Sequence, residues 1–186
     1  MKKSIFLCFI SILFPQTELH QELLNYLDLL NDNGLEIEFD YNLNHDHFSK
    51  EEKCNIKIDN KSKFIFEMGP KTLFFNGNDF RTYDNRTNQL FIQDIDSTIL
   101  ESIYSFLDRK YISSLNIIKN ASNSYQIKNN QYDIQIKKNS IHYNVIFENN
   151  NMTTILNSIR IKKFEDEINF NKFENSDIFI MDMRGN

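Results

Sequence analysis

His45-Asp46-His47 sets two imidazoles two residues apart, on one side of an extended segment, and Asp40 or Asp46 could join them around a metal ion. No third His or Cys lies nearby in sequence. The surrounding NHDHFSKEE reads instead as a polar turn between strands. Asp84, Asp94 and Asp96 supply carboxylates for acid–base work, yet at strand ends such residues serve as turn formers. Gly69 and Gly77 are isolated turn glycines, so no phosphate-cradling loop is present. Cys54 has no histidine near it to activate a thiolate. The acceptor sequons at Asn60, Asn85, Asn120 and Asn151 are expected by chance in so asparagine-rich a chain. No catalytic residue, metal ligand or cofactor is therefore expected, and the chain does not read as an enzyme.

What the sequence offers in quantity is aromatic surface. The 186 residues include 17 Phe and 8 Tyr but no Trp, with only 4 Gly and 2 Pro. Residues 18–31 repeat leucine with a helical period, at Leu19, Leu23, Leu24, Leu27 and Leu30, and Asn33-Gly34 ends the helix as a C-cap would. The period then changes to two. Ile37, Phe39 and Tyr41 alternate with acids, and Phe64, Phe66, Leu73, Phe75, Leu90 and Ile92 continue in short strands broken by turns at Gly69-Pro70, Asn76-Gly77 and Asp84-Asn85. Residues 97–111 return to a helical stripe, Ile99, Leu100, Ile103, Phe106 and Leu107, and 112–120 could extend it as a short second helix. Strands resume from Ser124, with Tyr143 and Val145 on one face of their strand and further strands at 152–163 and 168–170.

Helix, about six strands, helix, about five strands, with short connections, predicts an α+β fold: one curved antiparallel sheet forming an open half-barrel. Its concave face would carry the alternating apolar set and be covered by the helices. Eleven strands are wider than two helices can shield, so the uncovered part of that face is a candidate ligand cavity.

The N-terminus, MKKSIFLCFISILFPQ, has a basic start and an apolar run from Ile5 to Phe14, too short to span a bilayer. It reads as a secretory signal peptide over residues 1–17, followed by one domain over 18–186. Cys8 would leave with the leader, which excludes an intrachain disulfide. A net charge of −5 argues against a nucleic-acid partner.

The order of elements and three motifs resemble the LolA family of periplasmic outer-membrane lipoprotein carriers. CNIKIDNKSKFIF (54–66) stands where the family has G.L.V.RP..F.W. GPKTLFFNGNDFRTYDNRTNQL (69–90) stands for P......DG..LW.YDP...Q, and NFNKFENSDIFIMDMR (169–184) for the closing F.F..P.G.DV...R. The resemblance implies a carrier that shelters lipoprotein acyl chains in an apolar cavity and moves them from the inner to the outer membrane. It also implies a periplasmic monomer with no stable membrane insertion, acylated lipoproteins as cargo, an inner-membrane ABC transporter and an outer-membrane receptor. The cavity would be lined by Ile37, Phe39, Tyr41, Ile58, Phe64, Phe66, Leu73, Phe75, Leu90, Ile92, Tyr143 and Val145, under a lid bearing Ile99, Leu100, Ile103, Phe106 and Leu107. Here Ile58 replaces the family's lid-holding arginine, so closure rests on apolar contact or on another cation such as Lys57 or Arg81. The competing reading is an exported β-rich envelope interaction or structural protein with a filled core and no lipid cargo.

Overall fold

The computed structural model describes residues 17–45, 48–60, 63–77, 79–94, 108–128, 133–149, 152–170, 173 and 177–184. Helix α1 (Glu18–Asp32) starts at Thr17, whose Oγ1 accepts the His20 amide at 3.4 Å. It buries Leu19, Leu24, Leu27 and Leu30 along one side. It stops where the Asn33 amide donates to the Leu29 carbonyl and Gly34 takes φ +126°. The strands are β1 (Gly34–His45), β2 (Phe48–Asp59), β3 (Phe64–Met68), β4 (Lys71–Phe75), β5 (Phe80–Asp84) and β6 (Gln89–Gln93). After α2 (Arg109–Ser114) come β7 (Ile117–Ala121), β8 (Ser124–Lys128), β9 (Asp133–Asn139), β10 (His142–Asn149), β11 (Met152–Lys163) and β12 (Phe179–Asp182).

All twelve strands form one open sheet in the order β12-β6-β5-β4-β3-β2-β1-β11-β10-β9-β8-β7. The open half-barrel expected from the sequence is thus observed. Its two halves, β2–β6 and β7–β10, meet at the long β1–β11 pair, which joins residues more than a hundred positions apart. A β-bulge in β11 interrupts that pair, with Ser158 at φ +54° and its amide donating to Asn144 Oδ1 at 2.9 Å.

Four local expectations are corrected. The turn expected over 44–52 shrinks, because β1 runs through His45, which pairs with Phe48 at the start of β2. The helix expected to continue over 112–120 ends at Ser114. Ile117-Ile118, two β-branched residues, open strand β7 instead. Residues 168–170 are irregular rather than a strand, because Ile168 and Phe170 lie on the sheet's outer face. Finally, β12 pairs with β6 in parallel, so the sheet is antiparallel everywhere except at that edge. Of the helix expected over 97–111, residues 97–107, with Ile99, Leu100, Ile103, Phe106 and Leu107, lie outside the described residues, as do residues 1–16 of the expected signal peptide, Asp46, His47 and Asp96.

The parallel edge is pinned by side chains. Asn88, itself at φ +54°, donates through Nδ2 to the Asp177 carbonyl (2.6 Å) and accepts the Tyr83 hydroxyl (2.9 Å). Arg184 reaches Asp79 at 2.9 Å and also binds Asp182. Hydrogen bonds from Arg81 and Arg184 hold the Asp79 carboxyl below its ordinary range, and those from Arg184 hold Asp182 down at about 2. Depressed carboxyl pKa values make this clasp fully present above the ordinary aspartate value, and it is lost as pH falls through the folded values. Amide protection at Phe179 and Met183, measured relative to the intrinsic exchange rate at each pH, is therefore expected to fall between about pH 4 and pH 2, before that of the β3–β4 amides, and Arg184→Gln is expected to remove that step. Simultaneous loss of both sets would show that the clasp plays no separate part.

Candidate functional site

Register decides which face each aromatic occupies, because directly paired residues share a face. Leu35 pairs with Ile58, Ile58 with Phe64, Phe64 with Phe75, and Phe75 with Phe80. One row over, Ile37, Ile56, Phe66, Leu73, Thr82 and Phe91 stand side by side. α1 packs on this same inner face, since Leu24, Leu27 and Leu30 cluster with Leu35, Ile112, Ile37, Ile58 and Ile161. On the far half of the sheet, Leu19 and Leu23 meet Ile117, Tyr125, Ile127, Ile136, Tyr143 and Val145.

Polar contacts fix α1 over β7–β10. The Tyr143 hydroxyl donates to Glu22 Oε2 at 2.5 Å, and the Lys138 ammonium binds the same carboxylate. Burial and that hydrogen bond push the Tyr143 phenol well above its ordinary value, so it stays a proton donor. The Tyr125 hydroxyl donates to Glu18 at 3.2 Å, and Lys119 pairs with Glu18 at 3.1 Å. At the helix start, His20 Nε2 lies 2.9 Å from the Leu115 carbonyl. An acceptor at that distance requires the proton on Nε2, so the buried imidazole ties α1 to the chain leaving α2.

The cavity residues proposed from sequence therefore fall into three groups. Ile37, Ile58, Tyr143 and Val145 lie on the inner face but pack against the α1 clusters. Phe39, Tyr41, Phe64, Phe66, Leu73 and Phe75 lie on the same face outside those clusters. All six except the buried Phe75 are half-buried. The rings of Phe39 and Phe66 stack at 6.4 Å, and Phe64 sits 5.9 Å from Phe75 and 6.3 Å from Phe80. Phe80 and Phe91, which the sequence reading did not assign to the cavity, complete this wall. In β5 the alternation of Phe80 with Arg81 carried a signal; in β6, apolar at three consecutive positions, nothing singled out Phe91.

Leu90 and Ile92 form the third group and correct the sequence reading. Leu90 pairs with Tyr83, and Ile92 with Arg81, which pairs with Phe74, so both leucine and isoleucine point to the outer face. There they join Ile65, Phe74 and Phe173, with Ile168, Phe170 and Ile178 packed around them. Ile168, Phe170, Phe173 and Ile178 thus cover the outer face of β3–β6, and Phe74 stacks on Phe173 at 4.4 Å. β6 is apolar on both sides because it is covered on one and lines the wall on the other.

Neither cation considered as a lid clasp serves the inner face. Lys57 pairs with Glu36 and lies over Phe164, while Arg81 pairs with Asp79 and lies over Phe74. Ile58 packs with the apolar side chains of the α1 cluster.

The residues weighed for chemistry are placed as follows. Asp84 is buried at the β5–β6 turn, where it accepts the Arg86 amide (3.0 Å) and pairs with its guanidinium, which lowers its pKa. Cys54 is buried beside Phe39, and burial raises its thiol to about 11, which keeps it un-ionised. Asp40 pairs with Lys53 across β1–β2. Among the described residues no group of three or more His, Cys, Asp or Glu is placed to hold a metal ion. A cleft near the β11 bulge is lined by charged and polar residues, among them Glu38, Asp40, Lys53, Asn55, Glu67 and Arg160, together with Phe39 and Cys54.

No protein-family model and no curated protein matches the chain by sequence. Among solved structures, an uncharacterized conserved protein from Thermus thermophilus is similar over 87% of this chain and 98% of its own, with a TM-score of 0.51 at 10% identity. A LolA superfamily protein from Nitrosomonas europaea is similar over 83% of this chain and 98% of its own, with a TM-score of 0.39 at 7% identity. At such identities the first likeness is one of fold, an open sheet that wraps a helix.

Proposed function

We propose that the protein is an exported carrier that shelters the acyl chains of lipoproteins against its inner aromatic wall and moves them between membranes. The observation that carries this reading is the wall itself. Phe39, Phe64, Phe66, Leu73, Phe80 and Phe91 are half-buried, share one face of β1–β6, and lie beyond the α1 clusters. Aromatic rings without hydrogen-bonding groups bind an acyl chain by area alone, at about 0.8 kcal/mol per buried CH2. Binding of that kind is strong in sum and reversible in parts, as a carrier requires. The leader-like N-terminus and the LolA-like motifs support the same reading.

Binding of a fluorescent fatty acid to the delipidated protein tests it. Phe66→Glu sets a carboxylate in the middle of the wall and is expected to weaken binding at least about tenfold, equal to about 1.4 kcal/mol. Ile118→Glu, an exposed position on the outer face of the β7 edge, is the control and should leave binding unchanged. Mass spectrometry of protein purified from its own host should also find acylated cargo. Absence of binding in the parent protein would favour the filled structural reading instead.

A further inference from the structure

We propose that the ligand of the inner wall is an anionic amphiphile, whose carboxylate or phosphate head is taken by Lys71 at the wall's open border while its chain lies on the phenylalanines. The inference rests on the acyl-chain reading and deepens it. Pairing carries the inner face one row past the rings of Phe64 and Phe66. Phe39 pairs with Cys54, Cys54 with Met68, Met68 with Lys71, and Lys71 with Asp84. Paired residues share a face, so Lys71 stands on the inner face with Phe39. It lies two residues from Leu73 along β4, roughly 7 Å. Glu52 pairs with Tyr41 and Lys50 with Leu43, so these two charges continue the same face along β2.

The wall thus passes from aromatic rings to charges in one direction along the strands. At β1 and β2, α1 covers the opposite end through Leu35, Ile37 and Ile58. Among the described residues, the charged border is therefore the one that α1 leaves open.

Pairing within the border decides which sign of head it takes. Lys50 binds Glu52 at 3.1 Å. Arg86 occupies both oxygens of Asp84: its amide (3.0 Å) and Nε (3.3 Å) donate to Oδ1, and Nη2 donates to Oδ2 at 3.0 Å. Those hydrogen bonds are the main cause of the lowered Asp84 pKa, and Lys71 adds to it only through space. These two pairs cancel in charge. Lys71 is exposed, and among the described residues no side chain forms an ion pair or hydrogen bond with its ammonium. The charge left over at the border is therefore positive, in a chain whose net charge is −5. A cationic head would be repelled by Lys71, and a neutral one would leave its ammonium to water. An anionic head is attracted to it while the chain crosses Leu73, Phe66 and the Phe39 ring stacked on Phe66 at 6.4 Å. One exposed ion pair orients and selects the ligand, and the area of the wall supplies the affinity.

Dodecanol, dodecanoate and dodecyl phosphate share one chain and differ in the head, so their binding to the delipidated full-length protein tests the proposal. At low ionic strength both anions are expected to bind roughly fivefold tighter than the alcohol, the size of one exposed ion pair. The difference should shrink as salt is raised. Lys71→Gln should bring the anions to the alcohol's affinity and leave the alcohol unchanged, which also reports that the variant is folded. Lys71→Arg should keep the preference. Lys137→Gln, at an exposed position on the outer face of β9, removes the same charge elsewhere and should change nothing. A preference for one anion alone supports the proposal and names the head as carboxylate or phosphate. Displacement of dodecyl phosphate by inorganic phosphate would make this a site for the free ion and overturn it. Equal binding of alcohol and anions, or a preference that survives Lys71→Gln, would overturn this inference and leave the wall reading standing. Failure of all three probes to bind would overturn both.

Discussion

Phe74→Ala is expected to lower the stability of the protein by about 3–5 kcal/mol, a large share of the roughly 5–15 kcal/mol that holds a domain folded. Phe74 has no exposed surface, and its ring lies between Phe173 at 4.4 Å, Phe170 at 5.8 Å and the Arg81 guanidinium at 6.0 Å. Truncation removes the apolar area and leaves a cavity at the centre of the outer cluster. It also removes the ring on which Phe170 and Phe173 pack, so protease cleavage near those residues should rise together with the loss of stability. The inner wall belongs to the other face, and fatty-acid binding by the still-folded fraction is expected to persist. Urea unfolding gives the first quantity and limited proteolysis the second. A cost under about 1 kcal/mol would show that the outer cluster is not a core.

That cluster also marks where sequence stopped being informative. In β1 the alternation of Leu35, Ile37, Phe39 and Tyr41 with acids identified the inner face without any knowledge of neighbours, because the other face is solvated. In β4 and β6, Leu73-Phe74-Phe75 and Leu90-Phe91-Ile92 are apolar at consecutive positions, so no alternation exists to read. Only pairing to Arg81 and Tyr83 sends Leu90 and Ile92 outward and leaves Phe91 on the wall. Among the covering residues, Ile168 and Phe170 keep a strand's spacing and Phe173 breaks it, because their positions answer to the surface beneath them. The parallel return of β12 was equally hidden. It depends on Asn88, Asp79 and Arg184, which meet their partners only in three dimensions. The phenylalanines therefore serve two ends. Those at 39, 64, 66, 80 and 91 line the inner wall, and those at 74, 170 and 173 close the outer core.

Gly34→Ala is expected to cost more than the same change at Gly77, for two reasons that can be separated. Gly34 holds φ +126°, a conformation that L residues rarely adopt, which alone costs roughly 1–3 kcal/mol. A Cβ there would also lie 2.7 Å from the Ile58 carbonyl oxygen, 3.1 Å from that of Phe164 and 3.3 Å from Asp59 Cα. These are backbone atoms of β2 and of the chain leaving β11, and the Phe164 amide donates to the Gly34 carbonyl at 3.1 Å. Relief would require shifting two strand ends, and overpacking of this kind adds roughly 1–3 kcal/mol. Gly77 supplies the control. Its φ is +101°, but nothing lies within 4 Å of the added methyl, so Gly77→Ala should show the conformational cost without the overlap. With two costs of similar size against one, Gly34→Ala is expected to shift the urea midpoint about twice as far as Gly77→Ala. Gly34 also sets the angle at which α1, lying along the inner face, runs into the central strand β1, so the folded fraction should bind fatty acid less tightly, while Gly77→Ala should not alter binding. Equal midpoint shifts for the two variants would mean that β2 and the end of β11 give way easily, and that the junction at Gly34 does not hold α1 against the inner face.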